Sequence, residues 1–291
     1  MIYTIQNEFL TVKISDLGAE LQSIRDAMGV EWLWQGDDAF WGERAPNLFP
    51  FCGRLWNGLA TVDGVPCDPA SGLHGFFRQR VALVEQISST KIAFTQTEGE
   101  DTLKNYPFAF RIALIFSLEG KRLTVRAEIT NTGDRLMPYG YGAHPGFSTA
   151  FAGGKTEDYY LEFPVENQAR SLCFCPNNCY LVGGDQPFEQ KNGRGFDLTD
   201  AYFETGSFFL CNMPTEISLK SRLSDRFMTV SYEGFPYLGF WKVPGASYLC
   251  IEPWRSLPAH LGKSTELYEK EDLVKAEPGE TKIHEYSIEI H

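Results

Sequence analysis

Apolar and polar residues alternate with a period of two along much of the chain. Leu10-Thr11-Val12-Lys13-Ile14 shows it first, and parts of Lys91-Ile92-Ala93-Phe94-Thr95 and Leu123-Thr124-Val125-Arg126-Ala127-Glu128-Ile129 repeat it. Glu216-Ile217-Ser218-Leu219-Lys220 and Tyr286-Ser287-Ile288-Glu289-Ile290 carry it to the C-terminus. A strand with this period buries one face and wets the other, as in antiparallel sheets. Turn chemistry separates the runs at Glu119-Gly120-Lys121, Asn131-Thr132-Gly133-Asp134 and Asn192-Gly193-Arg194-Gly195. Helical periodicity is weak. The charged stretch from Thr265 to Lys275, closed by Glu277-Pro278-Gly279, predicts at most a turn or two of helix. Strands at both ends with no proline- or serine-rich linker between them predict an all-β fold, one sandwich domain over residues 1–291.

Composition adds limits. At 291 residues the chain is long enough to bury a large core, and 43% of it is apolar. Aromatic residues make up 14%, including 22 Phe and 13 Tyr, which suits strands and supplies flat faces for a sugar ring. A net charge of -12 argues against nucleic acid as a partner. It leaves room for a small phosphorylated ligand, which needs only a local pair of cations. No run approaches the roughly 18 apolar residues of a membrane helix. Seven scattered cysteines do not make a secreted disulfide framework, and the first residues lack a signal-peptide pattern. A cytoplasmic chain with reduced thiols is expected.

Chemistry concentrates in four segments where glycine or proline brackets an ionisable or aromatic group. They are Asn47 to Gly58, which holds Arg54 and Trp56, then Gly72-Leu73-His74-Gly75-Phe76. The others are Gly140-Tyr141-Gly142-Ala143-His144-Pro145-Gly146-Phe147 and Cys250-Ile251-Glu252-Pro253-Trp254. Glycine permits close backbone approach and proline stiffens the chain, so the side chain between them points in one direction.

These segments, with Leu17-Gly18-Ala19-Glu20-Leu21 before them, give five landmarks whose order resembles the aldose 1-epimerase family. The resemblance is strongest to its branch of mutarotase-like proteins from sugar operons. It implies a large, twisted antiparallel β-supersandwich with a sugar cleft across one sheet. It also implies Glu252 as general base and His144 as general acid, with His74 orienting the sugar. Arg54 would bind a sugar hydroxyl, and Asp200 is similar in place to a family acid that does the same. The substrate would be a sugar or sugar phosphate, with no metal and no organic cofactor.

The residue types support that chemistry independently. Anomer exchange needs a base for the anomeric hydroxyl and an acid for the ring oxygen, and a carboxylate and a histidine supply both near neutral pH. Plainer readings stand beside the sharp ones. His260, His284 and His291 are expected to be structural. Arg54 is open between a sugar ligand and a structural ion pair with Glu252. Trp56, Trp241 and Trp254 are open between core and sugar platform, and Phe147 is expected in the cleft wall. Cys173, Cys175 and Cys179 lack zinc-site spacing and read as incidental thiols. Arg78, Arg80 and Arg255 are the cations near enough in sequence to recognise a phosphate. Two other functions remain in play: a non-catalytic carbohydrate-binding or sugar-sensing protein, and a glycosidase pairing Glu252 with Asp200.

Overall fold

The computed structural model describes residues 1–291 and is built almost entirely from strands. All five alternating runs are strands, and Glu216–Ser221 alternates half-buried and buried residues without a break. A nine-stranded sheet has Thr281–Ile290 at its centre, flanked by Ser224–Ser231 and Arg122–Asn131. Hairpin neighbours account for much of its order, such as Phe110–Glu119 with Arg122–Asn131 across the Glu119-Gly120-Lys121 turn. Gly120 takes φ +55° there, the left-handed backbone that a tight hairpin requires.

A second sheet carries the chemistry. Its central strands are Phe208–Cys211, Tyr237–Trp241 and Tyr248–Trp254, continued by Gly142–Ala143 and Asn47–Leu48. Pairing is antiparallel throughout both large sheets. A continuous apolar cluster of 63 buried residues, drawn from Ile5 to Ile290, joins them. Burial on that scale is the main favourable contribution to folding.

Tyr248–Trp254 differs from the other long strands because all seven of its residues are buried. Leu249 and Ile251 enter the main core. The alternate residues Tyr248, Cys250, Glu252 and Trp254 face the other way, toward a concave surface covered by aromatic rings.

The charged stretch after Thr265 forms no helix. Thr265–Glu266 is a short strand pairing in parallel with Ala60–Val62, and Val274–Ala276 pairs with Met137–Tyr139. Glu266 turns its carboxylate onto the backbone N–H groups of Asp63, Gly64 and Tyr268. The bonds to Asp63 and Gly64 are long-range, and the local bonds of the stretch, such as Lys270 N–H to the Glu266 carbonyl, make turns that do not propagate into a helix. The one α-helix is Glu100–Asn105, which the hydrophobic pattern did not announce. No helix is long and apolar enough to cross a membrane.

A candidate active site on the concave sheet

A cavity of about 370 Å³ opens on the second sheet, and Glu252, His144, His74, Arg54 and Trp241 all line it. Each is aimed by its own local device. Glu252 stands opposite Gly239 across the strand pair, where an added Cβ would come within 3.2 Å of the Glu252 Cβ and 2.6 Å of the Phe209 ring. Glycine therefore leaves room for the Phe209 ring and the root of the Glu252 side chain. His144 follows the short strand Gly142–Ala143, and its N–H donates to the Pro46 carbonyl at 3.1 Å.

His74 is held more tightly. Its backbone has φ +68°, a conformation costly for a residue with a Cβ. Two reciprocal bonds fix it: the His74 N–H donates to the Gly53 carbonyl at 2.8 Å, and His74 Nδ1 accepts from the Gly53 N–H at 3.0 Å. An imidazole accepting at Nδ1 carries its proton on Nε2. His74 thus presents a donor.

At the cavity floor His144 Nε2 lies 3.4 Å from Glu252 Oε2. Glu252 is 1% exposed and His144 8%, so the pair is nearly cut off from water. Burial pushes the Glu252 carboxyl well above the usual carboxylate range. Burial, then the Arg78 charge, push His144 well below the usual histidine range. His74 moves the same way, from burial first and then from His144, Arg78 and Arg54. Glu252 pairs with His144 and not with Arg54.

Several polar atoms here have no partner. Eleven buried side-chain atoms in the whole chain lack a hydrogen bond, and four belong to residues lining this cavity: Arg54 Nε, His144 Nδ1, Glu252 Oε1 and Trp254 Nε1. A buried polar atom without a partner costs roughly 1–3 kcal/mol. Such a concentration is what a polar ligand would relieve.

Two expected ligands lie elsewhere. Asp200 does not line the cavity; it forms an ion pair with Lys242 and accepts from the Gly245 N–H at 2.7 Å. Lys242 is 1% exposed, and a desolvated ammonium demands such a partner. Phe147 is not cleft wall either. Its strand Gly146–Ser148 pairs Phe147 with Leu249, and both side chains sit in the main core.

Other open choices resolve. Trp241 and Trp254 line the cavity, whereas Trp56 packs on Tyr180 away from it. Among the three arginines proposed near the rim, only Arg78 reaches the cavity. Arg80 pairs with Asp101, and Arg255 bonds the Gly234 carbonyl. His284 is structural as expected, buried with Nε2 2.8 Å from the Tyr139 hydroxyl.

The cavity also holds residues that sequence reasoning missed. Glu43 pairs with Arg78 at 3.1 Å, and Trp41 packs against the His144 and Trp241 rings. Gly42 and Pro46 bracket Glu43 and Arg44, a looser form of the signal that marked the other four segments. Phe209 carried no such mark.

The family model described as Aldose 1-epimerase matches residues 1–275. The chain belongs to the aldose 1-epimerase family. Protein LacX of Lactococcus lactis subsp. lactis, in both its plasmid and chromosomal forms, is 32% identical over 298 residues, covering 100% of this chain and 99% of LacX. A galactose mutarotase-like protein from Lactobacillus casei superposes with a TM-score of 0.93 at 28% identity, with both chains covered in full. A galactose mutarotase related enzyme from Lactobacillus acidophilus gives 0.91 at 29% identity, covering 100% of this chain and 97% of its own. The β-supersandwich expected from the aldose 1-epimerase resemblance is therefore the fold.

Proposed function

We propose that this chain is a working aldose 1-epimerase that interconverts the α and β anomers of a hexose or hexose phosphate. The observation that carries the reading is the buried His144–Glu252 pair at the cavity floor, with Glu252 Oε1 and His144 Nδ1 left unpartnered.

Glu252 takes the proton from the anomeric hydroxyl while His144 gives one to the ring oxygen. The bond from C1 to the ring oxygen breaks, leaving an open-chain aldehyde. Rotation about C1–C2 and reversal of both transfers close the opposite anomer. No net proton is consumed. General acid and base catalysis contribute about 10²–10⁴-fold each.

Burial disfavours both charges, so the empty pair holds one proton as a carboxylic acid beside a neutral imidazole. The reactive form, carboxylate beside imidazolium, holds the same single proton. A sugar hydroxyl donating to Glu252 Oε1 stabilises the carboxylate and moves the proton across the 3.4 Å gap. His74 Nε2–H orients the anomeric region, Arg54 binds a hydroxyl, and Trp241 offers a face to the ring. The Glu43–Arg78 pair gives an acceptor and a donor for further hydroxyls.

We read the chain as one domain, in keeping with a core that gathers residues from Ile5 to Ile290. A reducing, cytoplasmic compartment suits its seven free cysteines. The glycosidase reading that pairs Glu252 with Asp200 is disfavoured, because Asp200 is bound to Lys242 outside the cavity. The test is exchange NMR on glucose, galactose and their 6-phosphates. Acceleration of at least one is expected; saturable binding without exchange across the panel would leave a sugar-binding protein instead.

A further inference from the structure

The concave face of Tyr248–Trp254 holds one group that ring opening does not use. Cys250 is one pleat back from Glu252 on the same face, fully buried beneath Tyr248 and Trp241. A nitrogen of His144, the Cys250 sulfur and a Glu252 oxygen all lie within 4.8 Å of one another. Tetrahedral zinc with bonds of about 2.0–2.3 Å sets its donors roughly 3.3–3.8 Å apart. The His144–Glu252 separation of 3.4 Å already meets that, and the thiol has to close by no more than ~1.5 Å.

We propose that His144, Cys250 and Glu252 form a three-donor site for a borderline divalent cation of the Zn²⁺ or Co²⁺ type, which shuts off the acid–base pair reversibly. Three features point to this class. Nitrogen, sulfur and oxygen donors together suit zinc and cobalt, whereas magnesium and calcium prefer oxygen alone. One thiolate and one carboxylate neutralise a dication, so the complex sits uncharged in a buried site. Glu252 Oε1 and His144 Nδ1 are buried without partners, so coordination disrupts no network beyond their mutual contact. His144 and Glu252 line the cavity, which gives an ion its approach to the three donors.

Metal capture is independent of the proposed activity, whereas its inhibitory consequence rests on that reading. The experiment separates them. Co²⁺ is titrated into the intact protein while the near-ultraviolet sulfur-to-cobalt charge-transfer band is followed. Saturation at one ion per chain is expected. The band should persist when Cys173, Cys175, Cys179 and Cys211 are all changed to Ser, since those partly exposed thiols are the competing source of sulfur. Cys250→Ser should remove it and weaken binding at least about 10–100-fold, the loss that even an outer partner of a metal site costs. Cys250→Ala serves as a second variant, with melting curves verifying that each folds. A band that survives in both Cys250 variants, or no saturable binding, overturns the site.

The second arm adds Zn²⁺ during anomer exchange. Wild-type exchange should stop and return with a chelator, while Cys250→Ser should keep exchanging at the same zinc concentration. Equal inhibition of both overturns the proposed switch. A wild type with no exchange defeats the catalytic reading, yet the cobalt arm still decides the metal site.

Discussion

Two acid–base pairs in this protein include a fully buried partner, Lys242 in one and Glu252 in the other, and they differ in what they leave open. Asp200 meets Lys242, and its other oxygen accepts from the Gly245 N–H. Both carboxylate oxygens are occupied, and the pair lies outside the cavity that Glu252 lines. Glu252 meets His144 at 3.4 Å, but Oε1 and His144 Nδ1 have no partner and a cavity of about 370 Å³ lies against them. A closed pair neutralises a desolvated charge and contributes to folding. An open pair retains the lone pairs and protons that a substrate can use, at a cost in stability.

The comparison is broken most sharply at His144. His144→Gln should lower the anomer-exchange rate about 10²–10⁴-fold with little change in melting temperature. A rate loss explained entirely by unfolding would make the open pair structural too. Asp200→Asn should do the reverse. It leaves Lys242 buried without its counter-charge, and it should destabilise toward the lower end of ~3–5 kcal/mol because Asp200 itself is partly exposed. Its rate per folded molecule should be unchanged; denaturant unfolding and exchange NMR on one sample check both.

A smaller effect is expected at the cavity rim. Glu43→Gln keeps the shape but weakens the Arg78 pair and a hydroxyl acceptor, so KM should rise about 10-fold, equivalent to ~1.4 kcal/mol, with kcat nearly constant. A fall in kcat with KM unmoved would place Glu43 in the chemistry instead.

The smallest effect is on pH. The single-proton form of the pair spans the range between the lowered His144 and the raised Glu252. The exchange rate should therefore stay level through about pH 6.5, where an ordinary histidine titrates. A step there would mean that His144 titrates as if exposed.

How the two pairs appear in sequence explains what could be read from it. His74, His144 and Glu252 stand out because glycine and proline bracket them, and the same local rigidity aims them in space. The alternating runs were legible because one residue in two must be buried. Asp200 was misread because its partner Lys242 lies on a distant strand, and nothing local announces that a lysine will be desolvated. Phe147 lies only three residues after His144, but the intervening turn and a new strand send it into the core. Glu43 and Arg78 meet only through the tertiary fold. Thr265 to Lys275 kept its charge pattern and lost the expected helix to long-range pairing with Ala60–Val62.

The open pair is tested most directly by Glu252→Gln, compared with wild type for both anomer exchange and thermal unfolding. Burial raises the folded-state pKa of Glu252 above its unfolded value of about 4.3. The stability it contributes is complete below that unfolded value and is lost as pH rises through the raised folded one. Glutamine does not titrate and escapes that loss. The expected result at neutral pH is loss of about 10²–10⁴-fold in exchange rate together with a higher melting temperature, the gain disappearing below about pH 4. Exchange at the wild-type rate in a folded Glu252→Gln protein would contradict the assignment of Glu252 as the base.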